Sequence, residues 1–316
     1  MPTAEDRWTL PEPGARYPLA LLARGIDPDQ ASVRFFGIVA LVVAVAGYTV
    51  ASTSVNMLVE WLGWLVDGRP GTLAEYATRS SAFETVAGLV AANLAIGAAI
   101  LVVAGLLRLL HRRRATWMWS VSPGVRWRFL LACFLVGVVV LVGLQFIISG
   151  VPVVTPQNDI AAFVVAILVT SPIQAAAEEV FFRGYVMQAL GLVWRREWFA
   201  VVGSALLFAL FHGTQNLPLF FHRFCFGLIM GALVWRTGGL EASIGAHIAN
   251  NLGAFLWAAL TSSVAQARAV QELTWVGAAQ EIAAFAVFAL IAWWIAGRMR
   301  VPATVGAGLS LPRPLR

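Results

Sequence analysis

About eight apolar stretches follow one another along this chain, at 35–58, 85–110, 127–149, 160–190, 198–212, 218–236, 240–260 and 275–297. Most approach the roughly 20 residues that a helix needs to cross a bilayer. The pattern predicts an all-α, polytopic membrane bundle. Composition agrees: 59% of residues are hydrophobic and 12% charged, against about 45–50% and 25% in a soluble domain. The fourth stretch is too long to lie straight, so Pro172 is expected to kink it or the helix to tilt. The fifth is short, because Gly213, Asn216 and Pro218 break it just beyond His212.

The basic residues suggest an orientation. All are arginine, a composition that points to codon bias in a GC-rich, bacterial genome rather than to a nucleic-acid partner. Arg7, Arg16, Arg24 and Arg34 precede the first stretch, and Arg112, Arg113, Arg114, Arg126 and Arg128 lie around the second connection. Arg195 and Arg196 mark the fourth, Arg236 the sixth, and Arg298, Arg300, Arg313 and Arg316 follow the eighth stretch. Alternate connections hold only Arg69, Arg79 and Arg268. Arginine is retained on the cytoplasmic side, so both termini are expected there, in a bacterial inner membrane.

The expected division is a cytoplasmic tail at 1–34, three helices at 35–150, a four-helix catalytic core at 151–262, an outer loop and last helix at 263–300, and a second cytoplasmic tail at 301–316. The first 34 residues are rich in proline and lack the apolar run and cleavage site of a secretory signal. Residues 61–84 read as a loop or a short interfacial helix. Cys133 and Cys225 both fall in apolar stretches and read as packing residues.

Glu178, Glu179 and Arg183 interrupt the fourth stretch. Ionisable groups at membrane depth are costly and usually functional. Glu179 and Arg183 are four apart, on one helical face with the acid N-terminal, and are expected to pair. Glu178, turned about 100° away, is then the candidate general base. His212 ends the fifth stretch; His247 and Asn251 share a face of the seventh. At 1.5 Å per residue, His247 lies about 12 Å from Gly239 and His212 about 24 Å from Arg196, depths that allow one pocket. The bland readings are a packing histidine at either position, and a proton or ion relay for the acids. His222 and Arg223 read as interfacial, His111 as headgroup-facing beside Arg112, and Glu281 has no assigned role. No His-Glu-x-x-His, Gly-x-Ser-Gly or Gly-x-Gly-Asp signature occurs.

Four motifs occur in order. Glu178-Glu179-Val180-Phe181-Phe182-Arg183 resembles the Glu-Glu-x-x-x-Arg motif of the CPBP family, the type II CAAX prenyl proteases and bacteriocin-processing proteins, also called Abi. Phe208 to His212 is similar to its Phe-x-x-x-His motif. Phe224, Gly227 and Gly231, with Arg236 to Leu240, resemble its glycine-containing sixth helix and turn, and His247 to Asn251 its His-x-x-x-Asn motif. The resemblance covers roughly 160–260. It implies an intramembrane endopeptidase acting on a membrane-associated protein or peptide, with Glu178 activating water, His212, His247 and Asn251 completing the site, and Glu179 and Arg183 supporting it.

A metal stays open at this point. Glu178, His212 and His247 are enough ligands for one zinc ion with water in the fourth position, but a glutamate bound to zinc is not a free base. A metal-free glutamate mechanism fits equally well and is preferred. The alternatives to an enzyme are a non-proteolytic scaffold or immunity protein and a transporter. A transporter normally shows two repeated halves with paired broken helices, and no repeat is evident.

Overall fold

The computed structural model describes residues 8–27, 29–151 and 153–306, without the side chain of Ser149. Expectations attached to Arg7, Arg313 and Arg316 lie outside the described residues. The chain folds as an all-α bundle. Its helices are α1 (Ala31–Val66), α2 (Leu73–Ser81), α3 (Val86–Leu109), α4 (Trp127–Ile148), α5 (Ile160–Trp194), α6 (Glu197–Leu210), α7 (Leu217–Thr237), α8 (Glu241–Thr261), α9 (Val264–Arg268) and α10 (Trp275–Arg298).

Among the described residues, six of these helices are long and apolar enough to cross a membrane: α1, α3, α4, α5, α7 and α10. The two others expected to cross differ for physical reasons. At 14 residues, α6 is short, about 21 Å of helix. The 21 residues of α8 are long enough, but Glu241, Ser243, His247, Asn250 and Asn251 dilute its apolar character. Its polar face is covered by protein, because α8 packs between α4 and the first half of α5.

Local signals set the helix ends. Thr72 accepts from the Glu75 backbone N–H at 3.2 Å and Glu75 accepts from the Thr72 N–H at 2.9 Å, a reciprocal cap that starts α2. The 61–84 stretch therefore divides between the last turn of α1 and this short helix. Asn216 caps α7, with Pro218 in its first turn. Gly238, at φ 68°, ends α7 in the left-handed conformation that glycine adopts freely.

The connections gather into two rims. On the first, Val121 N–H donates to Gly238 O (2.8 Å), Leu240 N–H to Trp119 O (2.9 Å) and Gly14 N–H to Val305 O (2.9 Å). On the second, Thr155 N–H donates to Leu260 O (2.9 Å), Gln157 N–H to Ala259 O (3.1 Å) and Asn216 N–H to Gln271 O (2.9 Å). Those at Gly238, Leu260 and Ala259 satisfy carbonyls that helix ends leave unpaired.

The N-terminal segment, expected as a tail, is packed onto the first rim. Tyr17 is fully buried and its hydroxyl donates to Met118 O; Arg113 donates to Ala20 O. A Cβ at Gly191 would lie 2.1 Å from Pro18 O, so the contact admits only glycine. Burial of Leu21 beside Tyr17 is worth about 1.5–3 kcal/mol. A second lock on this rim joins α4 to α8: Arg126 donates from Nε to Glu241 Oε1 at 2.8 Å and from Nη2 to Oε2 at 2.5 Å.

His111 departs from expectation. It is buried, with Nε2 2.8 Å from the Tyr185 hydroxyl and its ring edge-on to Phe36. Desolvation, helped by nearby Arg113, pushes its pKa down to about 4. The run of arginines after it suggested a headgroup position, but the chain turns inward there.

Candidate active site

The long α5 carries the acid pair. It runs through Pro172 and changes to π-helical geometry over Val180–Val186. A π turn adds a residue to the turn and often accompanies function. The following segment, Met187–Trp194, returns to α geometry and is buried through Val193. Upstream, Asn93 of α3 donates to Thr170 Oγ1 at 2.8 Å and to Ser171 Oγ at 3.2 Å. These bonds tie α3 to α5 two turns before Glu178.

Glu179 and Arg183 are both fully buried and pair at 3.1 Å. The guanidinium lies 4.1 Å from the ring centre of Phe208 and 5.2 Å from that of Phe226, so it is held by charge on one side and aromatic faces on the other. This arrangement fixes α5 against α6 and α7.

Separation of the two acids is less complete than their spacing suggests. His247 lies between them, with Nδ1 2.8 Å from Glu179 Oε1 and Nε2 3.4 Å from Glu178 Oε2. Both ring nitrogens face carboxylate oxygens. The Nδ1 contact is a hydrogen bond, while Nε2 reaches Glu178 only at ion-pair distance.

Glu178 is not without a helical neighbour. Gln174, one turn earlier, donates from Nε2 to Glu178 Oε1 at 2.7 Å, and Asn251 donates from Nδ2 to Gln174 Oε1 at 2.7 Å. Asn251 thus reaches the acid through Gln174. His212 stands just past α6, with Nδ1 2.7 Å from Phe208 O. Since a carbonyl only accepts, Nδ1 carries the hydrogen, and the neutral ring presents its Nε2 lone pair.

Glu178, Gln174, His212, His247 and Asn251 line one cavity of about 450 Å³. Residues not singled out beforehand also line it: Tyr48 of α1, Asn93, and Arg268 at the end of α9. Gln174 was findable by the same four-residue spacing that pairs Glu179 with Arg183, and Asn93 as an amide inside an apolar run. Tyr48 and Arg268 carry no such local signal. His222 and Arg223 line the cavity too, rather than a bare interface. His222 Nε2 lies 2.8 Å from Glu281 Oε2, which gives the unassigned acid a partner on the neighbouring helix. Glu281 itself faces an adjoining cavity of about 470 Å³ that shares Asn250 and Phe285 with the first.

A resident metal would be held by Glu178, His212 and His247. Among the described residues no group of three His, Cys, Asp or Glu side chains is placed to hold one. His247 turns Nδ1 to Glu179 at 2.8 Å and Nε2 toward Glu178 at 3.4 Å; a ligating histidine commonly bonds a carboxylate through its second nitrogen in this way.

Residues 160–253 match the family model described as type II CAAX prenyl endopeptidase, Rce1-like. The match takes in Gln174, Glu178, Glu179, Arg183, His212, His247 and Asn251. "Uncharacterized protein YyaK" of Bacillus subtilis (strain 168) is 34% identical over 93 residues, 28% of this chain and 31% of that protein. The chain therefore aligns with less than a third of that relative's length. No solved structure matches.

Proposed function

We propose that this chain, whose residues 160–253 carry the Rce1-like domain, is an intramembrane endopeptidase that hydrolyses a peptide bond of a membrane-associated protein or peptide. One observation carries the reading. A carboxylate, Glu178, faces a polar cavity inside an apolar bundle and is oriented by Gln174 and His247.

In the mechanism that this geometry supports, a water in the cavity donates one hydrogen bond to Glu178 and the other to the Nε2 lone pair of His212. Glu178 takes the first proton as the water oxygen adds to the scissile carbonyl carbon. The carbonyl π electrons move to oxygen, which becomes an oxyanion. The second Nδ2 hydrogen of Asn251, free of Gln174, is available to that oxygen. Collapse of the intermediate breaks the C–N bond, and the proton held by Glu178 passes to the leaving amine. Glu178 is thereby returned to its carboxylate in one cycle. General acid–base catalysis of this kind contributes about 10²–10⁴-fold. Glu179 and Arg183 do not touch the reacting atoms in this scheme; they hold His247 and the helix.

The test compares membrane proteins and secreted peptides of cells producing the wild type with those of cells producing Glu178→Ala at equal level. Fragments present only with the wild type are the expected result. Identical profiles, with both proteins folded, would sink the proposal.

A further inference from the structure

Among the described residues that line the second cavity, Glu281 alone is charged. The walls around it are mostly apolar, with Leu144, Ile148, Trp257 and Phe285 among them. On α10, Ala278, Glu281, Phe285, Phe288 and Ala292 recur at three- and four-residue spacing. The other four are buried, so this is the inward face of the helix, and Glu281 points into the bundle rather than to lipid. Its side chain is nonetheless 47% exposed, and that exposure is to the cavity.

The acid is incompletely partnered. Among the described residues its one partner is His222, whose Nε2 lies 2.8 Å from Glu281 Oε2. Both ring nitrogens of His222 are buried and make no hydrogen bond. A carboxylate accepts several hydrogen bonds, and one set in an apolar helix is costly unless it serves a function.

The two cavities meet at this pair. His222 lines the Glu178 cavity and Glu281 the second, while Asn250 and Phe285 line both. The Phe285 ring centre is 5.8 Å from that of His222 and 4.9 Å from that of Phe226, which lies 5.1 Å from that of His247. Two rings, Phe226 and Phe285, thus stand between His247 and the helix face that carries Glu281.

We infer that the second cavity is a side-chain subsite of the peptidase, and that it selects polypeptides carrying lysine or arginine beside the scissile bond. The inference rests on the proteolytic reading and names its substrate class. A basic side chain lays its methylene stem along apolar walls and keeps its charged head for a polar partner. Trp257, Ile148 and Phe285 supply such walls, and Glu281 the opposite charge. An acidic side chain there meets repulsion, and an apolar one leaves the carboxylate unpaired. The volume, about 470 Å³, falls within the roughly 300–1,000 Å³ of ligand cavities.

The experiment gives purified full-length protein a synthetic peptide library and reads the cut positions by mass spectrometry. Cuts also made by Glu178→Ala are discarded. Lysine and arginine are expected to be enriched at one position beside the cut; no enrichment overturns the inference. The ratio of kcat/KM for a peptide with lysine there to one with norleucine is then measured. Glu281→Gln should lower that ratio at least about tenfold, and Glu281→Arg should turn the preference to aspartate and glutamate. Ala254→Phe, which fills the cavity and keeps the acid, should also lower the ratio and guards against a Glu281 variant that does not fold. An unchanged ratio in folded Glu281→Gln or Ala254→Phe overturns the inference. A second arm needs no proteolysis: n-butylammonium, the lysine side chain alone, should raise the unfolding temperature of the wild type more than that of Glu281→Gln, with n-butanol as the control. Equal shifts overturn the subsite. A shift that depends on Glu281, with no cut beyond those of Glu178→Ala, would sink the endopeptidase and leave the cation site standing.

Discussion

Gln174 donates a hydrogen bond to Glu178 at 2.7 Å from one turn away on the same helix, and in doing so links that acid to Asn251 on α8. A hydrogen bond to a charged group is worth about 1.5–3 kcal/mol. Gln174→Ala is therefore expected to lower kcat by roughly 10–100-fold with little change in KM, because the acid loses its orientation and not the substrate its contacts. Gln174→Asn, one methylene shorter, should not restore the rate. An unchanged kcat in a folded variant would remove Gln174 from the site.

The Glu179–Arg183 pair predicts a loss of folding rather than of chemistry. Removing one partner of a fully buried pair costs about 3–5 kcal/mol, since the other charge is stranded. Arg183→Ala and Glu179→Ala should show sharply reduced yield and thermal unfolding temperature in detergent. Arg183→Lys should recover little, because a compact ammonium does not stack on Phe208 and Phe226 as the planar guanidinium does. A stable but inactive Arg183→Ala would shift the pair from support to catalysis.

Glu241 and Arg126 should behave as a remote brace. Glu241→Ala strands Arg126, whose side chain is only 15% exposed, and frees the entry of α8 from α4. A fall in unfolding temperature is expected, with activity per folded molecule retained. Activity lost at full stability would mean that the lock transmits to His247, six residues on.

His111 gives the fold a pH dependence. Burial holds its folded pKa at about 4, below the unfolded value of 6.5. The unfolded chain therefore binds the proton first, and stability falls as pH drops from about 6.5 toward 4, by up to about 3 kcal/mol. His111→Gln, which still offers an acceptor to the Tyr185 hydroxyl, should lose less unfolding temperature between pH 7 and pH 5 than the wild type. Equal losses would show that other groups set the acid limit.

Chelation supplies a separate test of the chemistry. Among the described residues no group of three His, Cys, Asp or Glu side chains is placed to hold an ion, so proteolysis should survive treatment with a strong zinc chelator, and purified protein should hold no stoichiometric metal. Loss of activity restored by one equivalent of zinc would make Glu178, His212 and His247 its ligands.

Residues within one turn of each other were readable before any fold was known. The spacing of Glu179 and Arg183 implied their contact because a helix brings every fourth residue onto one face. The same rule connects Gln174 to Glu178, and was there to be applied. His111 shows the converse limit. Its neighbours are arginines, so it reads as exposed, yet the chain after α3 turns inward and buries it against Tyr185, 74 positions away.

By itself, then, the sequence determined the membrane-spanning character, the helices that carry the polar residues, and the turn-spaced pairs, all of which depend on periodicity and on the cost of charge in hydrocarbon. Only the tertiary structure decided that His247 is shared between both acids, that Asn251 acts through Gln174, and that Arg126 seeks out Glu241. Those contacts join positions 68 to 115 residues apart, and no local spacing encodes which faces of two helices will meet.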